Sequence, residues 1–164
     1  LNNREKISIL MSKTTKNIPT ADLRTLTPFL PDYLFVAMTP DRGRAVFTSK
    51  LIPQGTVIEI APMIVFSEKD RLLLNDTFLY EYYFEWGKSG RKGALALGFG
   101  SLYNHSYSPN ARYMPDFDLN VLEFVAVRDI HPGEEICVNY NLDPDDQTPV
   151  WWERDKIKKK KQHP

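Results

Sequence analysis

The chain has 164 residues, enough for one domain with its own core. Lys plus Arg equals Asp plus Glu at 21 each, so overall charge supplies no pull toward nucleic acid or a membrane surface. The one cysteine, Cys137, excludes an intrachain disulfide and a cysteine zinc cluster, and no metal site is expected.

Residues 1–27 mix Lys, Asn, Thr and Ser with few apolar residues and read as a mobile N-terminal segment. Tyr33 to Met38 has strand composition, Pro40-Asp41-Arg42-Gly43 is a turn, and Arg44 to Thr48 is a second strand. Ile52-Pro53-Gln54-Gly55 is a further turn before a strand from Thr56 to Ile60. A similar Ile130-His131-Pro132-Gly133 turn precedes a strand from Glu135 to Tyr140. Ser67 and Asp70 make a capping pair for a short helix ending near Asn75. Phe78 to Trp86 is dense in aromatics, Lys88 to Gly93 is a Gly-rich loop, and Ala94 to Leu97 and Val121 to Val127 are strands. Thr148-Pro149 offers an N-cap and first position for a last helix holding Trp151 and Trp152, after which Lys158 to Lys161 frays into solvent. The pattern is mainly β with short helices. No apolar run reaches the roughly 20 residues of a membrane span, and no apolar signal core opens the chain. The protein is expected to be intracellular, cytoplasmic or nuclear, with no membrane partner.

Two segments carry the chemistry. Asn104-His105-Ser106-Tyr107-Ser108-Pro109-Asn110 is too polar and turn-prone for a core strand. Gly133-Glu134-Glu135-Ile136-Cys137-Val138-Asn139-Tyr140 is a short apolar strand ending in an aromatic hydroxyl. Together they resemble the two signature motifs of the SET domain, the fold of protein-lysine methyltransferases that use S-adenosyl-L-methionine and release S-adenosyl-L-homocysteine. Gly43-Arg44-Ala45-Val46-Phe47 is similar to that family's first motif, with Ala45 where a second glycine is usual. The resemblance covers about Leu34 to Tyr140. It implies a SET fold of several small β-sheets with a C-terminal pseudoknot over residues 28–142. A C-terminal aromatic helix and Lys-rich tail would then occupy 143–164.

The resemblance also implies roles. Asn104, His105 and the loop of Gly43, Arg44 and Ala45 would bind the cofactor. Tyr140 would stand beside the transferring methyl and the target amine. Its hydroxyl normally titrates near 10, which suits positioning rather than proton removal. Tyr113 would line the lysine channel or pack as a strand residue. Tyr82 would face the site or the core. Trp152, with Trp151, would close the site or dock a helix. Ser101 stands where the family often has arginine, and Ala61 lies near a common channel tyrosine, so the channel would be wider or filled by Tyr103. The substrate would be a lysine-bearing protein or peptide, histones among them, lying against an exposed strand. Two other readings are a catalytically silent SET-like module and a nucleic-acid binder acting weakly through the Lys-rich tail.

Overall fold

A computed structural model describes residues 29–154. The segment 1–27 and the Lys-rich tail lie outside the described residues.

Strands β1 (Leu34–Thr39) and β2 (Gly43–Thr48) form an antiparallel hairpin. Gly43 ends its turn at φ +72°, a left-handed conformation that favours glycine. Then come β3 (Val57–Phe66), helix α1 (Glu68–Leu74), β4 (Tyr83–Trp86) and β5 (Lys92–Ala96). The Ser67 hydroxyl accepts from the Asp70 N–H, and the Asp70 carboxylate accepts from the Ser67 N–H, as the capping pair predicts. After β5 come the two-residue β6 (Asn104–His105), β7 (Ala111–Asp116), β8 (Val121–Ala126) and β9 (Cys137–Val138). The central sheet runs β4-β5-β3-β8-β7.

β3 runs six residues past the expected end at Ile60 and passes straight through Pro62. Up to Pro62 it pairs with β8, and from Met63 it pairs with β5. The proline, which has no N–H to give, sits at the handover between partners. β7 was not expected; its Pro115 is tolerated because β7 is an edge strand.

The expected strand Glu135–Tyr140 is a relay. Its first part zips onto β2: Ile136 N–H donates to the Val46 carbonyl at 2.8 Å, and Glu135 bridges Phe47. Its next two residues, β9, pair in parallel with Asn104 and His105. The Asn-His segment is therefore partly a strand, against its turn-like composition. The two Ile-containing turns face each other, with Ile52 and Ile130 exchanging both backbone hydrogen bonds at 2.9 Å.

The core is continuous. Val46, Ile52, Ile58, Ala61, Leu122, Phe124, Ile130, Ile136 and Val138 are buried across the three sheets and the turns between them. Each large member contributes about 1.5–3 kcal/mol of burial. The crossing of β6 and β9 sits at the edge of this core, where the resemblance places the pseudoknot. The last helical turn, 151–154, starts after Val150, later than Thr148-Pro149 suggested. The Val150 carbonyl accepts from Glu153 and Arg154. No helix among the described residues is long and apolar enough to cross a membrane.

Candidate active site

A cavity of about 460 Å³ opens where the β1–β2 turn, β6 and the residues after β9 converge. Arg42, Arg44, Asn104, His105, Tyr140 and Trp152 are among the residues lining it, with Tyr82 and Ser101. Residues spread over more than a hundred positions meet there because β9 is drawn in beside β6.

Asn110, only 3% exposed, makes that junction. Its Nδ2 donates to the Glu135 carbonyl and its Oδ1 accepts from the Cys137 N–H, both at 2.8 Å. No role was expected for Asn110; its place at the end of the Asn-His segment was the available signal.

Asn104 Nδ2 donates to the Arg44 carbonyl at 3.1 Å and to Glu135 Oε1 at 2.8 Å. The amide hydrogens thus tie β2, β6 and the segment leading into β9 together, and Oδ1 is the side-chain atom left to a ligand.

His105 Nδ1 accepts the Tyr140 N–H at 3.1 Å. The neutral ring then carries its proton on Nε2, which is buried without a partner. Burial, with Arg42 nearby, holds the imidazole below its usual range, and Glu153 opposes the shift. A buried donor with no acceptor costs roughly 1–3 kcal/mol, and this one belongs to a ring that lines the cavity.

Tyr140 is held by its hydroxyl, which donates to the Tyr103 carbonyl at 2.9 Å. Its pKa is pushed up to about 12, chiefly by burial and further by the neighbouring Cys137 and Tyr113. The Tyr113 hydroxyl donates to the Tyr140 carbonyl at 3.1 Å, and burial raises it to about 12 as well. Tyr113 thus touches Tyr140 from outside the cavity, its ring edge-on to Phe84.

Arg44 Nη2 donates to the Tyr82 hydroxyl at 2.8 Å. Arg42 reaches the His105 carbonyl at 3.3 Å and Glu135 at 3.6 Å. Two guanidinium groups therefore flank the cavity, and Arg42 was missed because its turn looked ordinary. Gly43 and Ala45 do not line the cavity. Ala45 is fully buried, and a Cβ on Gly43 would meet nothing within 4 Å. Glycine is favoured at 43 by its φ. Ala61 is packed in the core, and Tyr103 turns its hydroxyl to Glu59 rather than filling a channel.

Trp152 stands edge-on to His105 and Tyr140, with ring centroids 5.7 and 5.9 Å away. Trp151 packs on Tyr80 at 4.9 Å. Tyr107 pins this closing segment. Its hydroxyl donates to Glu153 at 2.5 Å and accepts from the Val150 N–H at 3.0 Å. Among the described residues there is no His, Cys, Asp and Glu group suited to a metal ion.

The sequence profile of the SET domain matches residues 43–141. The chain is 36% identical over 114 residues to a Schizosaccharomyces pombe protein, "Histone-lysine N-methyltransferase, H3 lysine-37 specific". That match covers 69% of this chain and 76% of the relative. In fold it is similar to a crystal structure of a Plasmodium falciparum protein. The TM-score is 0.53 at 24% identity, covering 75% of this chain and 99% of the other.

Proposed function

Because this chain belongs to the SET-domain family and is a protein-lysine N-methyltransferase, we propose that it takes its methyl from S-adenosyl-L-methionine and places it on a histone lysine. A histone substrate would place its work in the nucleus. The observation that carries the reading is the cavity itself, where Asn104, His105 and Tyr140 converge with the His105 and Tyr140 ring centroids 5.3 Å apart.

The donor set fits that cofactor. Asn104 Oδ1 offers an acceptor to a ligand beside the His105 ring. Arg42 and Arg44 suit a carboxylate. The Trp152 and Tyr82 faces suit a flat heterocycle. When bound, S-adenosyl-L-methionine supplies a methyl group on a sulfonium, which is already electrophilic.

The chain's task is then alignment and exclusion of water. Tyr140 keeps its proton at neutral pH and gives it to the Tyr103 carbonyl. Its oxygen lone pairs remain free to accept an N–H of a neutral lysine amine. That fixes the amine's own lone pair in one direction. Protonated at neutral pH, Tyr140 suits orienting an already neutral amine rather than removing its proton. Tyr113, bonded to the Tyr140 carbonyl, stiffens the same end of the chain.

Calorimetric titration with S-adenosyl-L-methionine tests the cofactor, and methylation of intact histone octamers tests the substrate. Saturable heat that is lost in Asn104→Ala, with methyl incorporated into one histone lysine, is the expected result. No heat at millimolar cofactor in folded protein would overturn the cofactor assignment. Methyl transfer to non-histone proteins alone would overturn the histone assignment.

A further inference from the structure

Glu59 is the most deeply buried carboxylate among the described residues, at 1% exposure. It reaches the core through a register shift between Val57 and Glu59, where β3 bulges against β8. The bulge turns Ile58 and Glu59 inward together, breaking the in-out alternation of the strand. No cation pairs with Glu59 among the described residues. Its partners are neutral: the Tyr103 hydroxyl donates to Oε2 at 2.6 Å and the Phe99 N–H to Oε1 at 2.9 Å. Burial raises its pKa, and these hydrogen bonds oppose the rise.

The turn before β6 is shaped around this carboxylate. Gly98 has φ +68°, and a Cβ there would lie 2.1 Å from Glu59 Oε1. Tyr103, 2% exposed, is held at its hydroxyl by Glu59 and packed against the tilted Phe124 ring, with centroids 4.6 Å apart. With the ring held at both places and the next residue, Asn104, paired in β6, the intervening Tyr103 carbonyl is restrained from both sides. That carbonyl is the acceptor for the Tyr140 hydroxyl. A core needing only volume here would be served by Leu or Met without desolvating a carboxylate.

We propose that Glu59 is a positioning residue for methyl transfer, acting through the Tyr103 ring and carbonyl to set where the Tyr140 hydroxyl stands. The kinetic consequence rests on the methyltransferase reading above; the positional one does not.

Tyr103→Phe keeps the ring and deletes only the hydroxyl. The expected result is a kcat about tenfold lower or more, with KM for cofactor and histone nearly unchanged, since small misplacement acts on the transfer step. Glu59→Met, similar in volume without acceptors, should behave the same way and serves if Tyr103→Phe does not fold. Glu59→Gln, whose carbonyl accepts from Phe99 and whose amide donates to the Tyr103 oxygen, should restore most of kcat. In a Tyr140→Phe background, Tyr103→Phe should cost little more, because the link is already cut. Independently of activity, the 13Cζ-tyrosine NMR resonance of residue 140, assigned by its loss in Tyr140→Phe, should be displaced or split in Tyr103→Phe and unmoved in Glu59→Gln. An unmoved resonance in folded Tyr103→Phe and Glu59→Met, or losses that simply add in the Tyr140→Phe background, would overturn the proposal. A moved resonance with unchanged kcat would overturn the part played by Tyr140 in transfer, and this proposal with it. If the wild type transfers no methyl, the functional reading fails, while the NMR arm still decides the geometry.

Discussion

The backbone N–H of Tyr140 donates to His105 Nδ1 at 3.1 Å. The ring that faces the cavity therefore also anchors the proposed catalytic tyrosine, and its protonation state matters to both. Folded His105 titrates below its ordinary 6.5, held down by burial and by Arg42 against the pull of Glu153. The unfolded chain then binds this proton first as pH falls. Stability from the neutral ring is complete above about 6.5 and declines as pH drops toward the folded value. Thermal melts from pH 8 to 5 should show Tm falling on the acid side, and His105→Asn should flatten that slope. An equal slope in the variant would count against this linkage.

Tyr140→Phe should bind cofactor within about threefold of wild type, because its hydroxyl is directed at Tyr103 rather than at the residues holding the ligand. Its kcat should fall by about 10²-fold or more through loss of amine orientation. Calorimetry and single-turnover methylation check the two halves separately.

Asn110→Ala removes both buried hydrogen bonds that fasten the segment entering β9. It leaves a donor and an acceptor unmatched in the core, so a loss of about 2–4 kcal/mol is expected. Asn110→Asp should be less damaging for the Cys137 N–H and still lose the Glu135 carbonyl contact. Urea unfolding measures both variants, and a loss below about 1 kcal/mol for Asn110→Ala would count against the clasp.

Tyr107→Phe should loosen the closing segment without touching the core, since its hydroxyl holds Glu153 and Val150. Faster amide exchange over 148–154 is expected, together with weaker cofactor binding through Trp152. Unchanged exchange would mean that the indole rings alone dock the segment.

The hairpin of β1 and β2 and the Ser67 cap were legible because local residues dictate them: a positive-φ glycine in one case, a reciprocal side-chain cap in the other. β6 was not, because Asn104 and His105 form a strand only once Cys137 and Val138 arrive. The strand expected over Thr56 to Ile60 stops short of Pro62 because the sequence does not reveal that the ladder changes partners there. At the site, Asn104, His105, Tyr140, Arg44, Tyr82 and Trp152 converge on one cavity. Glu59 and Asn110 escaped notice because a buried carboxylate and a clasping amide look in sequence like any surface Glu or turn Asn. Their meaning comes from partners dozens of residues away.

The pairing of β6 with β9 also governs when the enzyme becomes competent during its own synthesis. Tyr140, Trp151 and Trp152 are synthesised after the β1–β2 turn and Asn104. Pairing between segments so far apart carries a loop-closure cost and comes late in folding. A nascent chain can therefore complete much of its central sheet while lacking one whole wall of the cavity. A ligand of that cavity would then stabilise the finished molecule rather than the intermediates that precede it.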